Sequence, residues 1–335
     1  MRAITFQQYG DASVLKLRDD LAIPDITSRQ VLVRVEAAAL NPYDRYMMSG
    51  NPRILRVASG WNAPKMLGLG QDFAGTIVSI GDQVTRFKVG DRVFGDVGER
   101  FVEATRALSD YVSVDEDYVT LCPAILSSQE AAGIPMAGRT ALIAVRDYAK
   151  VNTGQRVLVY GASGGVGSFI VQIAKILGAQ VTAVCGLSNV EKVAELGADE
   201  VVNYQATSVS ELGHSFHAVI DTVGNMPLKT WESVLLQGGR YVQVGAPYQQ
   251  GILGPLKNSF EVVLRGLFRR NWSWSSVAVT RSYSDRVWLT EQAAKGRLKT
   301  LIGHVFPLDD TPSAMRVIES GHTGGKVVIT IGNDE

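Results

Sequence analysis

The sequence predicts an α/β protein in which a small β-barrel precedes a doubly wound parallel sheet. Residues 1 to about 120 consist of short β-rich runs separated by turn signals, which is typical of small barrels. From about Ser127 onward, apolar strands alternate with helices, and this alternation is typical of a parallel sheet. Within that second part, a glycine-rich turn joins an apolar strand to a helix.

The glycine-rich turn is the most informative stretch of the chain. It consists of Gly161, Ala162, Ser163, Gly164, Gly165, Val166 and Gly167. The strand 156–160 precedes it, the helix 168–177 follows it, and a second strand occupies 180–185. Glycines here permit a tight turn, let backbone amides reach a pyrophosphate and let helix and strand pack closely. The helix N-terminus adds partial positive charge, so the context predicts a dinucleotide site rather than an ordinary buried turn.

The residues after the second strand bear on the choice of cofactor. An NAD site usually carries Asp or Glu about 20 residues after the turn, where it binds the ribose 2′-hydroxyl. Between Gly161 and Val190 there is no Asp or Glu, and Ser188 and Asn189 stand at the expected place. Their environment does not repel a 2′-phosphate, which favours NADPH. No arginine is present to bind that phosphate with two hydrogen bonds, so the preference is modest.

Composition excludes several other classes of protein. The 335 residues suffice for two domains, and a formal net charge of +0 gives no reason to expect nucleic acid or an anionic membrane as partner. Two cysteines, Cys122 and Cys185, cannot form a disulfide framework. The N-terminus lacks a secretory signal, and no apolar run reaches the ~18 residues of a membrane span. A cytoplasmic location is expected.

The remaining elements follow from apolar patterning and turn residues. Strands are expected at 31–37, 73–81, 90–95, 199–204, 217–224, 239–245 and 326–331. Helices are expected at 129–148, 190–196, 285–295 and 312–320. The segment 251–274 has apolar residues at helical spacing with interspersed Lys and Arg. Such a basic amphipathic helix is able to touch a membrane, but a lid over the substrate or a subunit contact is favoured, because most apolar helix faces pack on protein.

Several motifs together resemble the medium-chain dehydrogenases/reductases, and in particular the quinone oxidoreductases. These motifs are Asn41-Pro42-Tyr43-Asp44, the run 68–78, the run 89–95, the glycine turn, and the closing run 324–329. The resemblance implies a GroES-like catalytic domain over 1–122 and a Rossmann NADP-binding domain over 123–276. It further implies that 277–335 returns to the first domain, that the reaction is hydride transfer, and that the chain forms a homodimer.

Departures from the superfamily pattern select its zinc-independent branch. Zinc alcohol dehydrogenases carry a cysteine where this chain has Asn41, and Gly-His-Glu where it has Gly70-Gln71-Asp72. Amides are poor zinc ligands. The lobe near 95–112 contains no cysteine, and the four histidines lie far away in the sequence. We therefore expect no metal site.

Without a metal there is no Lewis acid to polarise a carbonyl, so the expected substrate is an apolar electrophile that delocalises the incoming charge itself. A quinone or an α,β-unsaturated carbonyl has this property. The resemblance implies Asn41, Asp44 and Tyr46 as catalytic candidates. Asn41 is a candidate to hydrogen-bond a substrate oxygen, whereas Asp44 is as well suited to fastening its loop. Tyr43 and Tyr46 are alternative proton donors, and packing roles are the competing interpretation for both.

The resemblance also implies the rest of the cofactor site. Thr140 matches a segment beside the nicotinamide, although its hydroxyl is equally able to bond its own helix. Tyr204 matches a tyrosine that flanks the 2′-phosphate, and Lys192 is placed to compensate for the serine at 188. Lys326 is expected to cap the site, with a solvated surface lysine as the alternative. Val223 and Gly245 complete the set of candidates.

Two other functions remain open from the sequence. One is the reduction of unsaturated thioesters, since relatives with the same zinc loss catalyse it. The other is a non-catalytic role for an NADPH-binding protein, because no obvious catalytic acid is present.

Overall fold

In the computed structural model, the described residues are 1–65, 68–98, 106–245, 260–262, 264, 272–278 and 282–332. The chain forms two compact units. The first contains Met1–Met136, Ser282–Gly296 and Ile302–Glu335, and the second contains Ala137–Arg281 and Arg297–Leu301. The first division of the chain therefore lies at 136 rather than at 122, and part of the C-terminal segment belongs to the second unit.

The strands are numbered in chain order. They are β1 (Ala3–Thr5), β2 (Lys16–Arg18), β3 (Gln30–Leu40), β4 (Asp72–Ile80), β5 (Arg92–Asp96), β6 (Tyr111–Asp115), β7 (Val119–Leu121), β8 (Arg156–Tyr160), β9 (Gln180–Cys185), β10 (Glu200–Asn203), β11 (Phe216–Asp221), β12 (Leu235–Gln243), β13 (Ser273–Ser276), β14 (Ile302–Pro307) and β15 (Lys326–Thr330).

The helices are numbered in the same way. They are α1 (Pro42–Ser49), α2 (Arg56–Ser59), α3 (Ser128–Ala132), α4 (Pro135–Ile143), α5 (Gly165–Ile176), α6 (Val190–Glu195), α7 (Leu228–Glu232), α8 (Tyr283–Ala294) and α9 (Thr311–Ser320). Short 3-10 turns occur at Ala12–Val14, Arg53–Leu55, Glu116–Tyr118, Leu187–Asn189, Val209–Leu212 and Leu308–Asp310. A π-helical turn, Ala144–Tyr148, follows α4.

The first unit is organised around the long strand β3. Its sheet has the order β14-β15-β3-β4-β5-β7, and β6 also pairs with β3. Along β3, Val31, Val33 and Val35 are buried while Arg34 is exposed, as expected of a strand with one face in the core. The register places Ala39 opposite Asp72. The ends of β3 and β4 that carry the sequence motifs are therefore neighbours.

The second unit contains a parallel sheet of six strands in the order β10-β9-β8-β11-β12-β13. This is the 3-2-1-4-5-6 order of a doubly wound sheet, so the predicted fold class is confirmed. Its core contains the large buried side chains Phe216, Trp231 and Tyr241. The strand order reverses between β8 and β11, and ligands of such sheets bind at that switch point.

The single helix predicted over 129–148 is interrupted. Ser127 caps α3, which ends before Gly133, and α4 begins at Pro135. Proline lacks the N–H of a helix interior and disfavours helical geometry in the preceding residue, so the chain breaks and restarts there. Although α3 follows residue 122, it belongs to the first unit, and its Ser128 Oγ donates to Glu36 Oε2 on β3 at 2.5 Å.

The amphipathic segment 251–274 lies mostly outside the described residues, which include only 260–262, 264 and 272–274 of it. Its expected lid, interface or membrane role therefore stays a prediction. Among the residues that the structure describes, no helix is long and apolar enough to cross a membrane.

Candidate active site

The first group of candidate residues lies where β3 passes into α1. Asn41 caps this helix with an extended backbone, and Pro42 occupies its first position, where a missing N–H costs nothing. Asp44 Oδ2 accepts the backbone N–H of Asn41 at 2.8 Å, and Oδ1 accepts that of Gly70 at 3.2 Å. The Asp44 carboxylate therefore fastens two loops together. This is the loop-fastening role weighed for it from the sequence.

The side-chain amide of Asn41 is held on both sides. Its Nδ2 donates to Asp72 Oδ2 at 3.0 Å and, more weakly, to the Ala39 carbonyl at 3.4 Å. Its Oδ1 accepts from Lys326 Nζ at 2.6 Å. Because both N–H groups are engaged, the amide has no further proton to donate to a substrate oxygen. One lone pair on Oδ1 remains as an acceptor.

Lys326 begins β15, which pairs with β3 in a register that sets Val327 opposite Leu40. This pairing brings Lys326 beside Asn41 across 285 residues of sequence. Its side chain is 2% exposed, and Nζ also donates to the Leu40 carbonyl at 3.2 Å and lies 3.6 Å from Asp72 Oδ2. The alternative of a solvated surface lysine is therefore wrong. Lys326 shares a unit with Asn41 and Asp44, whereas the glycine turn lies in the other unit.

The cluster buries two carboxylates, Asp44 and Asp72, and two cations, Lys326 and Arg106. Burial raises the pKa of Asp44 to about 7, and the negative charge of Asp72 also raises it. The hydrogen bond from the Asn41 backbone and the positive charges of Arg106 and Lys326 lower this pKa and so oppose the shift. Burial also lowers the pKa of the Lys326 ammonium, and the carboxylates of Asp72 and Asp44 oppose that change. Above the pKa of Asp44 the four formal charges balance, which makes the burial of these ionisable groups tolerable.

This donor set does not fit zinc. The positions that carry zinc ligands in metal-dependent relatives hold the amide of Asn41, the amide of Gln71 and the carboxylate of Asp72, and an ammonium lies against two of them. Zinc requires thiolate, imidazole or carboxylate ligands, and an adjacent cation opposes a dication. Among the described residues, no group of three or more His, Cys, Asp or Glu side chains is placed to hold a metal.

The two tyrosines of α1 differ in their surroundings. Tyr43 packs against the hydrophobic core of the first unit, which supports its packing role. Tyr46 is partly buried, and its carbonyl accepts the N–H of Gly50, which ends the helix in a left-handed conformation. Tyr46 remains the better candidate of the two for a proton donor.

The glycine turn follows β8 in the second unit and leads into α5, which begins at Gly165 with Gly164 as its N-cap. Gly161 has a φ of 82°, and a Cβ there would lie 2.3 Å from Thr222 Oγ1. A Cβ on Gly167 would lie 2.1 Å from the carbonyl oxygen of Gly161. Ala162 is buried, while Ser163, Gly164, Gly165 and Val166 are partly exposed. These residues fit a dinucleotide, because only glycine permits the turn and free helix amides are available to bind phosphates.

Residues at the end of β11 and directly after it support this turn, and the sequence reasoning did not identify them. Thr222 Oγ1 donates to the carbonyl oxygens of Tyr160 at 2.9 Å and Gly161 at 3.2 Å. Asp221 is buried and accepts the N–H groups of Val223 and Gly224 at 2.9 and 2.8 Å, and burial raises its pKa. Asp221 and Thr222 occupy the carboxyl end of a buried strand, a pattern visible in the sequence.

The remaining cofactor candidates of the second unit lie at four other places. Gly245 follows β12, and a Cβ there would lie 1.9 Å from the carbonyl of Thr222. Thr140 is a partly buried residue of α4. The ends of β9 and β10 carry the expected adenosine-side residues, which are described next.

Ser188 and Asn189 form the 3-10 turn after β9, and Ser188 is exposed. Tyr204 follows β10, is 46% exposed, and donates its backbone N–H to the Cys185 carbonyl at 3.1 Å. Its ring and hydroxyl lie near Gly186, since a Cβ on that glycine would be 3.5 Å from both. Gln205, which the sequence reasoning missed, accepts the N–H of Leu187 at 3.2 Å and fixes the turn.

Comparison with known proteins gives the same class. A model of the alcohol dehydrogenase GroES-like domain matches residues 27–124, and a model described as zinc-binding dehydrogenase matches residues 196–329. The chain is 32% identical to 2-methylene-furan-3-one reductase of Solanum lycopersicum over 98% of this chain and 79% of the relative. It is also 32% identical to the human mitochondrial NAD(P)H oxidoreductase RTN4IP1, over 99% of this chain and 89% of the relative.

Solved structures agree with these relatives. The quinone oxidoreductase of Coxiella burnetii superposes with a TM-score of 0.86 at 28% identity, covering 99% of both chains. The CurK enoyl reductase superposes with a TM-score of 0.83 at 25% identity, also covering 99% of both. The chain therefore belongs to the medium-chain dehydrogenases/reductases, in their zinc-independent branch of quinone oxidoreductase-like proteins. It is an oxidoreductase that uses a nicotinamide cofactor, and residues 27–124 of the first unit match the GroES-like domain.

Proposed function

We propose that this protein transfers hydride from NADPH to a quinone or an α,β-unsaturated carbonyl. The observation that carries the proposal is that an Asn41 amide stands at a zinc-ligand position and accepts a hydrogen bond from the Lys326 ammonium at 2.6 Å. Reduction of a simple ketone depends on stabilising an alkoxide, which a metal does well. A quinone or enone spreads the incoming charge over its own conjugated system. The names of the tomato relative and of the Coxiella structure support this substrate class.

The proposed role of the second unit is to bind and orient the dinucleotide. When bound, the nicotinamide supplies the hydride. We assign the pyrophosphate to the backbone amide of Gly165 and the other amides in the first turn of α5, because the start of this helix has no side-chain cap and an uncapped helix start attracts anions. Val223 follows β11 and Gly245 follows β12, and both are assigned to the cofactor by the family resemblance. Thr140 is assigned to the nicotinamide end by the family resemblance.

The preference for NADPH over NADH is part of the proposal. Ser188, Asn189 and Tyr204 present hydroxyl and amide groups, with no carboxylate between 161 and 190 to repel a 2′-phosphate. Lys192, exposed on α6, supplies a positive charge nearby in the sequence. Because no arginine stands at 188, we expect a modest preference.

Within the first unit, we assign Asn41, Asp44 and Tyr46 different tasks. Asp44 is assigned the task of holding the two loops, since both its oxygens accept backbone N–H groups. Asn41 offers an acceptor to the bound reactants. Tyr46 is the proposed proton donor, because a phenol is able to deliver the proton that completes reduction of an enone.

Reduction of an unsaturated thioester is the second candidate function. The likeness to the CurK enoyl reductase supports it, and the hydride acceptor is again a conjugated carbonyl. A thioester on a carrier needs a basic entrance for the carrier phosphate. The basic residues of the segment 251–274 are the candidates, and that segment lies mostly outside the described residues.

One experiment distinguishes these functions. NADPH oxidation is followed spectroscopically with matched quinones, enones and enoyl thioesters, and with simple ketones as the control set. We expect quinones or enones to give the highest kcat/KM and ketones to give none. Highest activity with thioesters would establish the second function, and activity confined to ketones would contradict both.

Size-exclusion chromatography with light scattering tests the proposed homodimer, and fractionation of cells tests the expected cytoplasmic location.

A further inference from the structure

The buried ammonium of Lys326 is bound by protein oxygens that include the side chain of Asn41. Nζ donates to Asn41 Oδ1 at 2.6 Å and to the Leu40 carbonyl at 3.2 Å, and Asp72 Oδ2 faces it at 3.6 Å. Two of these contacts are hydrogen bonds, and the third is an ion pair. Because the shortest hydrogen bond is to Asn41, the contribution of Lys326 that the geometry supports best is exerted through that residue.

The chemistry of those partners fixes one orientation of the Asn41 amide. Lys326 is only a donor, and ionised Asp72 is only an acceptor. The amide lies between them with Oδ1 toward Lys326 and Nδ2 3.0 Å from Asp72. A flipped amide would set an N–H group against an ammonium and a carbonyl oxygen against a carboxylate. Both contacts would be repulsive, so the flipped form is strongly disfavoured.

We propose that Lys326 is a positioning residue for Asn41, which with Asp72 locks the amide so that a lone pair of Oδ1 is presented to the reactants. This inference rests on the proposed function only for its kinetic readout. It assigns Lys326 a role in the first unit, beside Asn41, in place of the cofactor contact implied by the resemblance. The alternative is a purely structural role, in which Lys326 and Asp72 form an ion pair that stabilises the core.

A double-mutant cycle separates the two alternatives. Asn41→Ala, Lys326→Met and the double variant are compared for kcat and KM with the best substrate of the panel. If Lys326 acts through Asn41, each single variant lowers kcat by at least about tenfold, the loss expected for a hydrogen bond to a charged group. The double variant should then be no slower than Asn41→Ala alone. Losses that multiply would overturn the proposal.

Lys326→Met leaves the Asp72 carboxylate buried beside an apolar chain, which threatens folding. The paired variant Lys326→Met/Asp72→Asn removes both charges and is expected to restore thermal stability. Under the proposal its kcat stays at least about tenfold low, because neither locking charge remains. Recovery of kcat together with stability would show that Lys326 is only a structural ion-pair partner.

Lys175→Met is the matched control. Lys175 makes an ion pair with Asp199 in the last turn of α5, with Nζ–Oδ1 at 2.7 Å and both side chains solvent-accessible. This variant also loses one lysine and one ion pair, but no contact of the Asn41 cluster. Its kcat and KM should equal those of the natural sequence.

An independent readout does not need activity. The two Nδ2 protons of Asn41, assigned in nitrogen-15 spectra by comparison with Asn41→Ala, should exchange slowly with water because Asp72 and Ala39 accept them. The paired variant should exchange them at least about tenfold faster. An unchanged exchange rate in the paired variant would contradict the proposed positioning of the Asn41 amide, even if the protein proved inactive with every substrate. Failure of the proposed function would instead appear in the natural sequence, as absence of NADPH oxidation.

Discussion

Asp44 accepts the backbone N–H of Gly70 through Oδ1 at 3.2 Å, although 26 residues separate them in the sequence. The other oxygen of the same carboxylate accepts the N–H of Asn41. One buried side chain therefore joins the loop before β4 to the start of α1. These are the two segments whose motifs carry the family resemblance. The cost of burying this carboxylate has a consequence for the pH dependence of stability.

The pKa of Asp44, raised to about 7, predicts a loss of stability on raising the pH. Between pH about 4 and about 7 the folded protein binds a proton at Asp44 that the unfolded chain has released, because the unfolded pKa is 3.8. The free energy of unfolding should therefore fall across this window, by up to about 1.4 kcal/mol per pH unit. Urea unfolding of the natural protein and of Asp44→Asn, from pH 4.5 to 7.5, measures the difference. Parallel curves for the two proteins would contradict the assignment.

The glycine turn predicts a charge-specific loss of cofactor binding. Gly165→Asp sets a carboxylate at the first residue of α5, against the negative pyrophosphate. Two like charges about 4 Å apart repel by ~4 kcal/mol at an effective dielectric constant of 20. This corresponds to nearly a thousandfold weaker NADPH binding, measured by calorimetry.

Gly165→Asn is the matched control for that variant, because it adds nearly the same volume without charge. Its affinity should fall far less, and circular dichroism should show both variants folded. Equal affinities of Gly165→Asp and the natural protein would mean that the phosphates bind elsewhere.

Ser188 predicts how cofactor preference can be changed. Ser188→Arg adds a charged donor to the turn after β9 and should raise the ratio of NADPH to NADH affinity by at least about tenfold, since such hydrogen bonds contribute ~1.5–3 kcal/mol. Ser188→Asp should reverse the preference toward NADH. Fluorescence titrations with both cofactors measure the two ratios. A natural protein that clearly prefers NADH would show that this pocket is misassigned.

The Asn41–Lys326 contact predicts indifference to metal removal. Because an ammonium lies where metal-dependent relatives need ligands, the purified protein should contain no stoichiometric zinc and should keep its activity after dialysis against a chelator. Elemental analysis before and after dialysis checks this. One tightly bound zinc ion per chain, with activity lost on its removal, would contradict the conclusion that the residues around Asn41 do not fit zinc.

Tyr46 and Tyr43 provide a matched pair for the proton donor. Tyr46→Phe should lower kcat/KM for an enone by about a hundredfold, the lower range of general-acid contributions. Tyr43→Phe should change it little, because Tyr43 packs against the core. A solvent isotope effect that disappears in Tyr46→Phe would support the assignment. Equal activities of the two variants would remove Tyr46 from the mechanism.

The glycine turn of the second unit was largely predictable from the sequence, because it depends on neighbours in the chain. The turn 161–167, its flanking strand and the start of its helix are local, so glycine spacing and apolar pattern were sufficient. The helix predicted over 129–148 shows what apolar periodicity cannot predict. The apolar pattern continues across Gly133 and Pro135, but the helical backbone is interrupted there.

The polar cluster of the first unit could not be predicted in the same way. Asn41, Asp72 and Lys326 come from three distant segments, and only the pairing of β3 with β4 and β15 brings them together. The sequence by itself determined the fold class, the glycine turn between β8 and α5 and the loss of zinc ligands, since these depend on local pattern and residue type. Only the tertiary structure decided that Lys326 is buried against Asn41, because burial and ion pairing arise from long-range strand register.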